Sequence, residues 1–503
     1  MNTTFVIILI IILIIFLSYD YNLNICGLNN QVNQQNQVNQ QNQVNQQNQV
    51  NQQNQATKCV NEFSDKISDN VLNELGLNGL ENFNNSNSDQ DVIFSQNLIE
   101  PFGTTDSKQF PISIPMSNQV GFKKIKPNKL YYGLPCSYIK DDCFYDSLKK
   151  AGFIVTNDVV SASLIVPCSY ETTEKEIKDL EIKNIKTNQF GDGVRIFMLN
   201  NTDQMVSKLA LWQHLKKKYG SDLASNMLPY TWDLTSNTDI ELFKSQYDKN
   251  KIYITKNNHQ RQEGIEIHTS LDSVLASKDK YLLVQELLQD PYLVSGRKIN
   301  LRVYVLVIRD NYSNTKLQVY KDGFMYYTPE LFEPGNPSFK KNITTGYIDR
   351  QVYVENPLTH KDFRVWLDKS SRELSEIEKY IKTAYPHIKL SDFVFSQIYE
   401  LIGFIFQTYD NVVGTKTHGV SFQLYGVDVA INQDLKPMIM EINKGPDLGA
   451  KDGRDRELKM NLSTDILKSV GLVESDSPND FITVLEKVNI GGKITTIHNL
   501  VDH

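Results

Sequence analysis

Residues 426–443 read GVDVAINQDLKPMIMEIN, and this stretch decides the fold because it predicts two apolar strands joined by a polar turn. Residues 421–431 and 438–443 are largely apolar, as in strands, and residues 432–436 supply the turn. The sequence therefore predicts an antiparallel hairpin.

Three oxygen-bearing side chains share one face of this predicted hairpin. Asp428 lies between apolar residues on the first strand, and Glu441 and Asn443 are two residues apart on the second. Pairing through a turn near residues 434–435 places Asp428 roughly opposite Glu441. Unpaired buried carboxylates are costly, and Mg²⁺ removes that cost by binding one or two carboxylates together with substrate phosphates. The three residues are candidate metal ligands; a solvated acidic face is the alternative.

Basic residues upstream have a similar character. Lys256 ends a predicted strand, and Arg261 lies in the loop that follows. Lys298 and Arg302 are spaced i and i+4 along another strand, so they share a face, with Asn300 between them. Cations inside an otherwise apolar sheet indicate binding of phosphate or carboxylate. A charged outer strand face is the alternative.

Outside the hairpin, the chain from about residue 121 mixes helices and strands, which predicts an α+β fold. No glycine-rich GxGxxG or GxxxxGKS loop occurs, so neither a Rossmann nor a P-loop nucleotide site is supported. The predicted strands are 129–132, 163–166, 251–256, 263–267, 281–288 and 299–309, with a hairpin of 317–320 and 324–327 across the Gly-containing turn 321–323. The predicted helices are 144–150, capped by Asp141 or Asp142, then 204–219, 363–380 and 393–409.

The beginning of the chain differs from the rest. Residues 5–17 read FVIILIIILIIFL, an apolar run shorter than the roughly 20 residues of a membrane-spanning helix. No Lys or Arg precedes the run and no clear small-residue cleavage site follows it. We predict a hydrophobic signal or signal-anchor over 1–25, and hence membrane attachment or the secretory pathway, on an undetermined side of the membrane. A cleaved signal and a buried helix are the alternatives.

A polar segment follows this run. The hexapeptide QVNQQN occurs four times in succession over residues 31–54, and such an uncharged tract buries too little apolar surface to fold. We predict a disordered Asn/Gln-rich linker over 26–120, which is either a spacer or a product of repeat expansion. The remaining divisions are a small α/β lobe over 121–200, a catalytic region over 201–475 and a C-terminal tail over 476–503.

Composition narrows the class of protein further. The formal net charge is −7, the hydrophobic fraction is 40% and the charged fraction is 22%, which excludes a wholly disordered chain, a collagen and a multi-span membrane protein. The mild acidic excess predicts no nucleic-acid partner. The five cysteines include no CxxC pair, so no disulfide framework is indicated.

Four blocks, in this order, resemble the tubulin tyrosine ligase-like family over about residues 195–470. They are GIEIHTS (264–270), VQELLQDPYLVSGRKINLRVYVLV (284–307), YKDGFMYYTPELF (320–332) and FQLYGVDVAINQDLKPMIMEINKGPDL (422–448). The resemblance implies an ATP-grasp fold of three lobes. It also implies a ligase that uses ATP and Mg²⁺ to activate a carboxylate as an acyl-phosphate, which an amine attacks. Its partners would be a free amino acid (Tyr, Glu or Gly) and a protein acceptor, tubulin in the classical members.

The resemblance also assigns roles to individual residues. Arg302 and Glu441 would be catalytic, and Arg302 and Tyr326 would bind the amino acid or the acceptor. Asp428, Glu441 and Asn443 would hold magnesium. The ATP site would comprise Lys208, Lys256, Arg261, Gln285, Glu286, Leu287, Leu288, Lys298 and Asn300, with 285–288 as the hinge beside adenine. Spacing alone would instead make Lys208 a solvated helix lysine.

Several positions depart from the family pattern. Asn300 stands where Asp is usual, Gln262 where Gly is usual, and Thr345 where Asn is usual. Tyr326 or Tyr327 stands where an Arg normally binds the amino-acid substrate. These changes leave open which amino acid is added. They also motivate two alternatives: a degenerate member that binds nucleotide or protein without catalysis, and an ATP-grasp ligase for small molecules.

Overall fold

The predicted hairpin at 421–443 lies inside a large mixed sheet of the computed structural model. The structure describes residues 128–133, 142–166, 194–257, 264–310, 312–346, 349–414, 419–474, 477–490 and 493–498. The predicted leader over 1–25 and linker over 26–120 lie outside these residues.

The described strands follow the alternating and apolar segments of the sequence. They are β1 (Leu130–Gly133), β2 (Ile154–Thr156), β3 (Leu164–Val166), β4 (Arg195–Phe197), β5 (Thr231–Asp233), β6 (Tyr253–Lys256), β7 (Ile265–His268), β8 (Leu283–Glu286), β9 (Leu293–Val294), β10 (Arg297–Arg309), β11 (Thr315–Tyr327), β12 (Val420–Ile431), β13 (Pro437–Lys444), β14 (Phe481–Ile490) and β15 (Lys493–His498).

The described helices begin at capping residues in most cases. They are α1 (Cys143–Lys150), α2 (Asp203–Val206), α3 (Lys208–Tyr219), α4 (Ser221–Ser225), α5 (Asn237–Gln246), α6 (Leu271–Ser277), α7 (Phe339–Asn342), α8 (Val352–Glu355), α9 (His360–Asp368), α10 (Glu376–Ala384), α11 (Leu390–Gln407) and α12 (Gly453–Ser469). As predicted, Asp142 caps α1, where its side chain accepts from the Phe144 amide.

Two sheets organise these elements. The larger runs β15-β14-β11-β10-β12-β4-β3-β1-β2, with β13 on β12 and β9 on β10, and the smaller is the antiparallel β5-β8-β6-β7. Strands β10 to β15 pair antiparallel, whereas β4 joins β12 and β3 in parallel. The prediction of an α+β, ATP-grasp type of fold is confirmed. The segment predicted as a C-terminal tail contributes β14 and β15 to the larger sheet.

The predicted hairpin across 321–323 is wrong, because β11 continues through that turn motif as one strand. A Cβ at Gly323 would lie 2.2 Å from the Arg302 carbonyl oxygen and 2.5 Å from the His360 ring. Glycine is required there for close approach of neighbouring groups, not for a turn. The reversal occurs instead between Arg309 and Thr315, the last paired residues of β10 and β11.

Two predicted helices are each divided. The segment 363–380 forms α9 and α10, and both begin with a capping box, at Thr359 and at Ser375. The segment 204–219 is interrupted at Ser207, whose extended backbone ends α2 and whose side chain accepts from the Ala210 amide. Lys208 is consequently the first residue of α3, which positions it for the site described below.

Candidate active site

The hairpin register brings the two predicted carboxylates together. Asp428 on β12 pairs with Glu441 on β13, as predicted, and a bulge follows, since Val429 pairs with Ile439. Asn443 pairs with Gly426, two residues further on, so its side chain is on the same face as Glu441. The three predicted metal ligands therefore share one face.

Arg302 from the neighbouring strand β10 is paired with Asp428. The two residues are directly opposite each other in the register. Arg302 Nε donates to Asp428 Oδ1 at 2.5 Å and Nη2 to Oδ2 at 3.1 Å. Burial raises the pKa of the Asp428 carboxyl, while the charge and hydrogen bonds of Arg302 act in the opposite direction. Asp428 thus binds one edge of the guanidinium through two hydrogen bonds, at a site largely shielded from water.

Gly426 provides the space that this arginine needs. A Cβ at Gly426 would lie 3.1 Å from both Cδ and Nη1 of Arg302 and 3.0 Å from Cβ of Pro446. Any larger side chain would press on the guanidinium. Nothing in the local sequence distinguishes this glycine from one at an ordinary strand position, so sequence reasoning missed it.

Lys208 neutralises the second carboxylate. Its Nζ lies 2.8 Å from Glu441 Oε1, and its side chain is only 10% exposed. A second ion pair, Lys444 with Asp203, joins the same strand β13 to α2. Lys208 therefore lies beside the predicted metal ligands, whereas its helical spacing alone would have made it a solvated surface lysine.

Two further lysines are buried beside these pairs. Burial, with the Lys208 charge adding to it, lowers the pKa of Lys256 to about 8. Burial and the charge of Lys256 lower the pKa of Lys298 to about 7. Lys298 Nζ donates to the Leu288 carbonyl oxygen at 2.8 Å. Lys256 has no hydrogen bond or ion pair within the described residues, so its ammonium is available to an anion.

The predicted hinge 285–288 begins in β8. Gln285 Nε2 donates to Thr231 Oγ1 at 2.8 Å, but its buried Oε1 has no hydrogen-bond partner among the described residues. The Glu286 side chain is paired with Lys251, at 2.7 Å, and the Leu287 amide donates to the Ile252 carbonyl. A buried unpaired oxygen is costly, and a donor group of a ligand could satisfy this one.

The structure shows which of two tyrosines, Tyr326 or Tyr327, lies beside Arg302, a choice that the sequence left open. The Tyr326 ring centroid lies 5.2 Å from Arg302 Cζ, and Tyr326 pairs in register with Asn300. Tyr327 instead points into the core, where its hydroxyl donates to the Pro357 carbonyl oxygen at 2.7 Å. Tyr326 is thus the site residue, and Asn300 lies on the same strand face as Lys298 and Arg302.

Most predicted site residues consequently converge, and Arg261, like Gln262, lies outside the described residues. Within the described part of the chain, no group of three or more His, Cys, Asp or Glu side chains could hold a metal. Two carboxylates and an amide on one face nonetheless suit Mg²⁺, which completes its coordination shell with water and phosphate oxygens. The buried lysines and the unpaired Gln285 oxygen suit a polyphosphate and a base with donor groups. The residues present therefore fit ATP and Mg²⁺.

The described mixed sheet, which carries buried cations beside paired carboxylates, is consistent with an ATP-grasp fold. The sequence model of the tubulin-tyrosine ligase family matches residues 194–479, more than half of the chain. The chain belongs to this family, and the resemblance noted from the sequence is confirmed.

Several proteins similar to the chain are named as tubulin polyglutamylases or probable tubulin polyglutamylases. The chain is 31% identical over 192 residues to the probable tubulin polyglutamylase TTLL9 of Rattus norvegicus, which covers 38% of each chain. It is 24% identical over 347 residues to the tubulin polyglutamylase TTLL7 of Mus musculus, covering 65% of this chain and 36% of that protein. A probable tubulin polyglutamylase of Caenorhabditis elegans is 26% identical over 279 residues, with coverage of 52% and 63%. The chain therefore spans only part of the length of these relatives.

The predicted signal-anchor location is corrected by these findings. The relatives are named as tubulin-modifying enzymes, and within the described ranges no helix is both long enough and apolar enough to cross a membrane. The prediction of a membrane-associated or secretory protein is therefore wrong and is not retained. The apolar run on which it rested, residues 5–17, lies outside the described residues.

Proposed function

We propose that this protein is an ATP- and Mg²⁺-dependent ligase that adds an amino acid to a protein acceptor through an acyl-phosphate. The observation that carries the proposal is the row of charges from Arg302 through Asp428 and Glu441 to Lys208, with Lys256 buried beside it. The names of the relatives favour tubulin as the acceptor and glutamate as the added amino acid.

In this proposal, the carboxylates and the lysines of the site have different tasks. Asp428, Glu441 and Asn443 hold the metal, while Lys208, Lys256 and Lys298 bind phosphate oxygens. Bound ATP supplies the phosphoryl group that activates the carboxylate. Phosphoryl transfer needs positioned cations more than covalent participation by the protein, which suits this set of side chains.

Arg302 would act on the reacting carboxylate. Asp428 occupies Nε and one N–H of Nη2, and the end of the guanidinium formed by Nη1 and Nη2 has no acceptor among the described residues. Two parallel N–H groups at that end match the geometry of an oxyanion. Arg302 can therefore hold a substrate oxyanion without giving up its bond to Asp428.

The test is the intact mass of purified tubulin after incubation with the full-length protein, ATP, Mg²⁺ and mixed amino acids. A mass increase that identifies one added amino acid supports the proposal. Glu441→Gln should abolish it, whereas Glu376→Gln, at a position 91% exposed on α10, should leave it intact. No mass change on tubulin or on a lysate of candidate acceptors would refute the proposal.

The same experiment separates the alternatives. ATP·Mg²⁺ binding without any modified acceptor would indicate a non-catalytic member of the family. ADP formation that depends on an amino acid but on no protein would indicate a ligase for small molecules. Calorimetry of ATP·Mg²⁺ binding and measurement of ADP release complete the set.

A further inference from the structure

Arg302 Cζ lies over the Tyr326 ring in a way that suggests positioning rather than substrate binding. The distance of 5.2 Å from the ring centroid to Cζ is within the range of cation–π contacts. The ring is half-buried, and its hydroxyl makes no hydrogen bond with any described residue. The contact that the structure gives this side chain is therefore made by its ring.

Gly346 lies close to the Tyr326 ring, and its lack of a side chain leaves space for the ring. A Cβ at Gly346 would lie 3.0 Å from Cε1 and 3.4 Å from Cδ1 of Tyr326. The ring thus lies close to Gly346 as well as to the Arg302 guanidinium. Its place on β11, opposite Asn300 on β10, is fixed by the strand pairing.

Three contacts then define where the guanidinium lies. Asp428 binds one edge, Gly426 leaves the space for Nη1, and Cζ lies over the Tyr326 ring. The Nη1 and Nη2 end has no acceptor among the described residues. A guanidinium restricted by a carboxylate and by an aromatic ring keeps a defined direction for that end, which is what a residue that acts on a developing charge requires.

We propose that Tyr326 is a positioning residue for the reaction, whose ring holds Arg302 in the orientation that meets the substrate carboxylate. This inference rests on the proposed ligase function. It differs from the role suggested by the family pattern, in which this position binds the amino acid directly. The ring, and not the hydroxyl, carries the effect.

The first test compares two substitutions in the full-length protein. Tyr326→Leu removes the ring and should lower kcat about tenfold with little change in the KM for ATP. Tyr326→Phe keeps the ring and should restore most of the lost kcat. Tyr312→Leu, at a 58% exposed tyrosine at the opposite end of the β10–β11 hairpin, is the matched control.

The two substitutions also give outcomes that overturn the inference. If Tyr326→Phe is as damaging as Tyr326→Leu, the hydroxyl contacts the substrate. If Tyr326→Leu matches the wild-type protein, the ring does not position Arg302.

A second test does not depend on catalysis. Urea unfolding is measured for Tyr326→Leu, Arg302→Lys and the double variant, since residues that interact give non-additive effects. We expect the second substitution to cost less stability when the first is present, and Tyr326→Phe to retain the coupling. Additive effects overturn the inference. Absence of ligase activity in the wild-type protein would instead count against the proposed function alone.

Discussion

Two buried clusters of charged side chains lie on the same strand, β10. They differ in whether each of their cations has a partner within the protein. The site cluster comprises Arg302, Asp428, Glu441, Lys208, Lys256 and Lys298. The far cluster, at the other end of β10, comprises Arg309, Thr315, Asp410 and Lys487. Both place an arginine of β10 beside an aspartate.

The far cluster is closed by protein groups. Arg309 Nε donates to Thr315 Oγ1 at 3.0 Å, and its Nη2 donates to the Asp410 carbonyl oxygen at 2.8 Å. Lys487 pairs with the Asp410 carboxylate from strand β14. These bonds join β10, β11, β14 and the end of α11, which is a structural task.

The site cluster is left open by comparison. Lys256 has no hydrogen-bond or ion-pair partner among the described residues, whereas both cations of the far cluster have one. The difference teaches that burial of charge does not by itself identify an active site. A buried cation without a protein partner does, because a ligand must supply what the protein leaves out.

The largest expected effect comes from removing the aspartate of each cluster in turn. Asp428→Asn should reduce ligation by at least about 100-fold, because it removes a proposed metal ligand and leaves Arg302 without its anion. Asp410→Asn should cost stability, about 3 kcal/mol, but leave kcat of the folded protein nearly unchanged. Turnover and urea unfolding are measured on both variants. Equal losses of kcat in Asp428→Asn and Asp410→Asn would show that the two clusters do not differ in function.

A smaller effect on ligand affinity is expected at Lys208. Its removal should weaken the binding of ATP and strengthen the binding of Mn²⁺. Lys208→Met should weaken ATP binding about tenfold, since a charge-assisted contact to phosphate is lost. Without nucleotide, it should strengthen Mn²⁺ binding, because Glu441 no longer carries an ammonium group. Calorimetry measures the first and the electron spin resonance signal of free Mn²⁺ the second.

A surface lysine on the same helix gives the control for this prediction. Lys216 is paired with Asp239 at 3.4 Å, so Lys216→Met should leave both affinities unchanged. Weaker Mn²⁺ binding in Lys208→Met would show that the lysine supports the metal site instead of competing for it.

Gly426→Ala tests the space beside Arg302. The new methyl group would press on the guanidinium and on Pro446, and we expect kcat to fall about tenfold with a stability loss of about 1–3 kcal/mol. Gly403→Ala in helix α11 is the control, because a Cβ there would meet Val484 at 3.9 Å, an ordinary van der Waals distance. This substitution should stabilise the protein slightly, since alanine favours a helix more than glycine does. Unchanged kcat in Gly426→Ala would mean that Arg302 tolerates displacement.

The two clusters also show what could be predicted from sequence. The position of the turn was enough to place Asp428 roughly opposite Glu441, and the two-residue period of a strand was enough to put Lys298 and Arg302 on one face. The pairing of Lys208 with Glu441 could not be predicted from spacing, since the residues are 233 positions apart. In the far cluster, Arg309 and Asp410 are likewise from different segments, 101 positions apart.

Glycines account for another part of what sequence reasoning missed. The Lys321-Asp322-Gly323 motif predicts a turn, yet Gly323 lies within a strand because the Arg302 backbone and the His360 ring approach it. Gly346 and Gly426 leave room for Tyr326 and Arg302 for the same kind of reason. Such close approaches are properties of the tertiary structure, and a local motif does not contain them.

The smallest expected effect is a pH dependence that only the site cluster should show. The pKa of Lys298 is lowered to about 7 and that of Lys256 to about 8, chiefly by burial. Both lysines lose their protons in the folded protein before they would in the unfolded chain. The unfolded state therefore binds more protons between about pH 7 and pH 10, so stability without ligand should rise with pH over that window.

ATP affinity should change in the opposite direction, because phosphate favours the protonated lysines. Affinity should fall as the pH rises from 7 to 9, and calorimetry at pH 8.5 in two buffers of different ionisation enthalpy should show proton uptake on binding. Lys298→Met should remove part of that uptake, whereas Lys216→Met should not. Binding without proton uptake would mean that these lysines are already charged in the free protein, so that burial does not lower their pKa values into this range.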